Sequence, residues 1–192
     1  MKSGFYAFLM CLGLLFAGLG HAQEVVPGGG AGTAISTPIF LGAALGFGSG
    51  TGVGNDKGLG FRQIEPMIGA WLPGLGFLRI GYGFFDYSEE ADNGKDVEVD
   101  HSDFDVELGA HVLGTLYLEG GYSRVKELSD LGDVAWNEWY AGFGTIFNIF
   151  AKTMLFTDIT YHWVLDHYDP FQSKSVSGSR LQLNLGFAAY VY

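Results

Sequence analysis

The ten residues "DFDVELGAHV", Asp103 to Val112, decide the fold. Phe104, Val106, Leu108, Ala110 and Val112 occupy one parity, and Asp103, Asp105, Glu107, Gly109 and His111 occupy the other. In an extended chain successive side chains point to opposite faces, so a period of two describes a strand with one apolar and one polar face. The polar face here carries three carboxylates within five residues. Such a strand needs an apolar medium on one side and room for charge on the other.

The same alternation recurs on both sides of this stretch. Before it, Ile39, Leu41, Ala43, Leu45 and Phe47 alternate with small residues. Ile64, Pro66, Ile68, Ala70 and Leu72 alternate with Gln63, Glu65, Met67 and Gly69, and Leu78, Ile80, Tyr82 and Phe84 with Arg79, Gly81 and Gly83. After it come Leu116–Tyr122, Trp139–Phe147, Leu155–Trp163 and Leu181–Phe187 in the same pattern. Eight strands follow, an even number. Their connections alternate in character: "GSGTGVGNDKG", "DYSEEADNGKDVEVD", "KELSDLGDV" and "DHYDPFQSKS" are long and polar, whereas "PGLG", "LG" and "NI" are short.

The chain has 192 residues, of which 48% are hydrophobic, 16% aromatic and only 16% charged, with 31 glycines. That charged fraction is low for a soluble domain. The net charge of -11 excludes a nucleic-acid partner, which needs clustered Lys and Arg for phosphate contacts. No stretch after the N-terminal segment is long and apolar enough for a spanning helix, since Ala70 to Phe85 is interrupted by Pro73, Arg79 and several glycines. In lipid every backbone polar group must be paired within the protein, which only helices and closed barrels achieve. The expected fold class is therefore all-β: an eight-stranded antiparallel up-and-down transmembrane β-barrel, with long loops at one end and both termini at the other.

Residues 1–22, "MKSGFYAFLMCLGLLFAGLGHA", combine Lys2, an apolar run and small residues around His21, the pattern of a secretory signal peptide cut after Ala22. The only cysteine, Cys11, lies within it, so the mature chain has no thiol chemistry. Residues 23–37 read as a flexible Gly- and Thr-rich lead, and residues 38–192 as the barrel domain.

The chain ends "NLGFAAYVY". This resembles the C-terminal assembly signal of bacterial outer-membrane barrels, its key places being Asn184, Gly186, Phe187, Tyr190 and Tyr192. The layout is similar to the small eight-stranded barrels of the OmpX, OmpA and opacity-protein type. The resemblance implies the outer membrane as location, with partners in outer-membrane lipid, lipopolysaccharide and the barrel-assembly machinery. It also implies extracellular loops able to meet an external ligand.

The inward register carries Glu65, Arg79, Asp103, Asp105, Glu107, His111, Glu119, Glu138, Lys152, Asp158, His162 and Arg180. An eight-stranded barrel is just wide enough for side chains to fill it. Acids outnumber bases, so Glu65, Glu107, Glu119, Glu138 and Asp158 are expected to share Arg79, Lys152 and Arg180 in a lumen network, with water or proton uptake covering the rest. That describes a plug; the alternative is a narrow ion or proton path gated by re-pairing. Trp71, Tyr82, Phe84, Trp139, Phe147, Trp163 and Tyr192 are expected at the lipid-headgroup level.

Catalytic readings are weaker. "VDHSDF" holds His101, Ser102 and Asp103, but neighbours in a strand diverge, so His101 and Ser102 do not share a face. His162 and His167 in "YHWVLDHYDPF" offer rim partners to Asp166 or Asp169, and a rim-active lipid A-modifying enzyme is the alternative from another class. Asp86, Glu89, Glu90, Asp92, Asp96, Glu98 and Asp100 crowd one connection, yet without EF-hand spacing, and no specific metal site or cofactor is expected. The sequence thus points to a structural or surface-interacting barrel rather than an enzyme.

Overall fold

A computed structural model describes residues 38–51, 60–90, 96–130, 132–150, 152–169 and 174–191. The expected signal peptide and flexible lead, and Tyr192, lie outside the described residues. Eight strands run in chain order: β1 (Ile39–Thr51), β2 (Gly60–Leu72), β3 (Gly76–Glu90), β4 (Asp96–Leu113), β5 (Leu116–Ser129), β6 (Val134–Phe150), β7 (Thr153–Asp169) and β8 (Lys174–Tyr190). Each pairs antiparallel with its sequence neighbours, and β1 pairs with β8 from Phe40↔Tyr190 to Thr51↔Ser179, closing the barrel. Closure leaves no unpaired sheet edge, which is what a strand structure in lipid requires.

The faces are inverted relative to a soluble protein. Leu41, Ile68, Tyr82, Phe104, Phe143, Trp163, Leu183 and Phe187 are exposed on the outside, whereas Glu65, Arg79, Glu107, Glu138, Asp158 and Arg180 are buried within. Strands of 13 to 18 residues exceed the roughly 9–11 needed to cross a bilayer, so the barrel projects beyond it.

That length corrects the expected loops. The stretch Asp86–Asp100 is largely paired hairpin, because β3 continues to Glu90 and β4 starts at Asp96, with Asp86 opposite Asp100 and Ser88 opposite Glu98. Tyr87, Val97 and Val99 supply the less exposed face that keeps this ladder in register, and Asp86, Asp96, Glu98 and Asp100 point outward. At the opposite end, β4 and β5 are joined by Gly114 and Thr115 alone, with Gly114 at φ 56°, a left-handed value that favours glycine in such tight hairpins. The β6–β7 turn also falls later than "NI": β6 runs on to Phe150, and Lys152 lies in the turn.

Two of the expected outer aromatics need comment. Tyr82, Phe84, Phe147 and Trp163 are exposed on the outer wall, and Trp139 packs edge-on against Tyr122 with centroids 5.0 Å apart. Trp71 instead takes the inward parity of Glu65, Met67 and Gly69, and stacks on His111 at 5.1 Å. It belongs to the lumen floor.

Candidate functional site: the lumen

The lumen is built in layers. Its floor, at the end with the short turns, is an apolar cluster of Phe40, Ala44, Met67, Phe77, Tyr117, Met154, Phe156 and Ala188, against which Trp71, Ile146 and Tyr190 pack. Glycines on facing strands make the room. The ring of Tyr117 occupies the place where a side chain at Gly144 would begin, and the ring of Phe77 does so at Gly109. A small barrel filled by large rings needs such a pairing of bulk with absence.

Above the floor stands Arg79, 5% exposed. Its Nη2 lies 2.6 Å from Glu107 Oε2, 3.7 Å from Asp158 Oδ2 and 3.9 Å from Glu119 Oε2. The guanidinium also sits 5.1 Å from the Phe156 ring centroid. Around it Tyr117 donates to Asp158 (3.2 Å), Tyr140 to Glu107 (3.3 Å) and the Asn184 amide to Asp158 (2.7 Å). One cation shared among three carboxylates is the geometry a buried charge needs, since a lone ion in low dielectric is costly.

A second centre forms on Glu138, which is fully buried. It accepts from Arg180 Nε at 2.8 Å and from Trp136 Nε1 at 2.7 Å, and lies 2.8 Å from His162 Nδ1. Arg180 Nη2 stands 3.8 Å from Asp103, outside hydrogen-bond range. Toward the long-loop end, Glu127 accepts from Tyr87 (3.1 Å) and pairs with His101 (3.1 Å), while His167 stacks on Trp136 at 5.0 Å.

The expected lumen residues therefore divide. Arg79, Glu107, Glu119 and Asp158 meet at the first centre, Glu138 and Arg180 at the second, and Glu65 is buried between strands with Gln63 donating to it at 3.1 Å. Lys152 is not in the lumen. It is exposed in the β6–β7 turn, because β6 extends three residues further than its alternation suggested and displaces the turn onto it. Of the three cations expected there, Arg79 and Arg180 lie in the lumen.

Among the residues of the C-terminal motif, Asn184 and Gly186 face inward, Phe187 is 62% exposed outside and Tyr190 packs on the floor. Asn184 joins the Arg79 layer through Asp158. Its inward parity with Arg180 and Gln182 carried that information in the sequence. Gln63, Thr160 and Gln182 share the inward parity of their strands, but an uncharged side chain carries no charge-balance signal.

The catalytic alternatives find little geometry. His101 points inward to Glu127, and Ser102 points outward, its hydroxyl 3.5 Å from the Lys126 carbonyl. His162 binds Glu138 and Thr160, and His167 meets its own neighbour's carbonyl, Leu165 O, at 3.0 Å. Among the described residues no group of three or more His, Asp or Glu side chains is arranged to hold a metal ion. No helix among them is long and apolar enough to cross a membrane.

A closed barrel with an apolar wall and a charged, side-chain-filled lumen defines a transmembrane β-barrel of the small outer-membrane kind. Solved structures with this fold include Neisserial surface protein A, with a TM-score of 0.53, 12% identity, and coverage of 79% of this chain and 96% of that one. A major outer membrane protein from Thermus thermophilus aligns with a TM-score of 0.54 at 12% identity, over 81% of this chain and 99% of that one. No protein-family profile and no curated protein sequence matches the chain.

Proposed function

We propose that this chain is an integral protein of a bacterial outer membrane, exported through residues 1–22, that works at the cell surface through the hairpin ends on its long-connection side. The observation that carries this reading is the inversion of faces, apolar side chains outside and charged ones buried within, so that the barrel wall offers anchorage and the projecting ends offer contact. The Arg79 and Glu138 centres act as a plug rather than a conduit, because the apolar floor on Phe40, Phe77, Tyr117 and Phe156 would oppose passage of a hydrated ion. Lipid and lipopolysaccharide surround the apolar wall, the barrel-assembly machinery reads the last strand, and an external ligand, where there is one, meets the projecting ends. The role is non-catalytic.

The test is topological. Asn93→Cys in the β3–β4 connection and Thr115→Cys in the β4–β5 turn introduce single thiols into a mature chain without any. Intact cells treated with a membrane-impermeant maleimide should label position 93 and spare position 115 until the outer membrane is opened. Equal labelling of both, or labelling of 115 alone, refutes the orientation. Vesicles carrying the refolded chain should stay impermeable to small sugars and salts; rapid swelling would remove the plug.

A further inference from the structure

Of the ten lysines and arginines in this acidic chain, two stand together on the outer wall: Arg124 and Lys126, both exposed on β5. They share the outward parity of Leu116, Leu118 and Tyr122. A tilted strand needs roughly 9–11 residues to cross a bilayer. That length, measured from Leu116 where β5 leaves its short turn, ends on Arg124 to Lys126. The row beneath them agrees, because Tyr122, Trp139 and Trp163 are paired across β5, β6 and β7 on the outer face. Amphipathic rings of this kind settle at the headgroup level.

Neither cation has a carboxylate within ion-pair distance among the described residues. Arg124 instead gives Nη1 to Asn137 Oδ1 at 2.8 Å, its cross-strand neighbour on β6. That bond holds the guanidinium in place and leaves its Nε–Nη2 edge, while the Asn137 NH₂ remains as a further donor. Lys126 lies between Ser102 on β4 and Ala135 on β6, short side chains that leave its ammonium room. Acidic residues begin one step further out, at Asp100 opposite Leu128, so the positive patch is confined to the level of the lipid headgroups.

We propose that Arg124, Lys126 and the Asn137 amide bind a phosphate of the phosphorylated glycolipid of the outer leaflet, lipopolysaccharide, with its acyl chains against Tyr122 and Trp139. A guanidinium edge takes two phosphate oxygens side by side, and a neighbouring ammonium adds a point charge to the same group. The proposal rests on the outer-membrane reading above, which puts the long-connection end at the cell surface.

The experiment measures lipid adducts on the barrel refolded in zwitterionic detergent micelles, by native mass spectrometry. The probes are lipid A with its phosphates, dephosphorylated lipid A and phosphatidylglycerol. Each cation near the headgroups contributes about 1 kcal/mol, so Arg124→Gln and Lys126→Gln should each weaken the phosphorylated lipid A about fivefold, and the pair about 25- to 30-fold. Lys174→Gln, far out on β8 opposite Asp169, should change nothing. The gel shift on boiling checks that every variant is folded. Retention by the double variant within twofold of the parent overturns the proposal, as does equal binding of dephosphorylated lipid A or of phosphatidylglycerol. Displacement by millimolar inorganic phosphate would mark a free-anion site and overturn the lipid assignment. The thiol labelling described above separates the two readings. Lost phosphate dependence with position 93 labelled and position 115 spared refutes this site alone, whereas reversed labelling refutes the orientation and this site with it.

Discussion

Arg79→Met tests the central energetic claim about the lumen. The substitution keeps much of the side-chain length and removes the charge. In the barrel it would leave Glu107, Glu119 and Asp158, now 2.6, 3.9 and 3.7 Å from Arg79, without the cation they share, and would strip Phe156 of its guanidinium. Removing one partner of a buried pair costs about 3–5 kcal/mol, and the cation–π contact adds about 0.5–2 kcal/mol. The expected loss is about 4 kcal/mol. Urea titration in phospholipid vesicles, followed by tryptophan fluorescence, reads it as a midpoint lowered by about 2 M when the slope is about 2 kcal/mol per M. Adding Glu107→Gln should return at least about 1 kcal/mol, because the two residues form one network and their effects do not add. A loss below about 1 kcal/mol for Arg79→Met alone would show that the three carboxylates do not depend on Arg79, and the layered plug would have to be abandoned.

Ile68→Arg and Leu183→Arg place charge on the exposed outer wall and should each cost about 2–4 kcal/mol in the same titration, whereas Glu98→Arg above the wall should change it little; similar losses for all three would remove the assigned lipid face. Gly144→Val drives a branched side chain into the Tyr117 ring, which is held by Asp158, and should cost about 1–3 kcal/mol by overpacking, measured as a lower unfolding midpoint. Gly74→Ala meets open space, so only its left-handed φ of 72° is penalised, and a loss of about 1–2 kcal/mol is expected by the same measurement.

Period-two alternation is a local property of an extended chain, and it was enough to assign every strand and its inner and outer faces. The inward parity of Glu65, Arg79, Glu107, Glu138, Asp158 and Arg180 follows from it directly, as does the divergence of His101 from Ser102. Strand ends were less legible. Hairpins continue past the membrane wherever backbone pairing and an alternating inner residue such as Tyr87 or Val99 sustain them, and polar composition there resembles a loop. Lys152 sits in the turn because β6 pairing continues to Phe150, and Trp71 keeps its inward parity although its aromatic ring would suit the lipid interface.

What the sequence by itself determined, then, is a barrel with an apolar wall, a charged lumen and distinct ends, because strand parity and connection length are written along the chain. Which acid shares which arginine was decided only by the tertiary structure. Glu107 and Asp158 meet Arg79 from β4 and β7, and Glu138 meets Arg180 from β6 to β8, through the stagger and closure of the barrel. Glu107 is the paired neighbour of Arg79 in the β3–β4 ladder, whereas Asp158 reaches Arg79 from β7 across the lumen, a geometry that exists only once β1 has paired with β8.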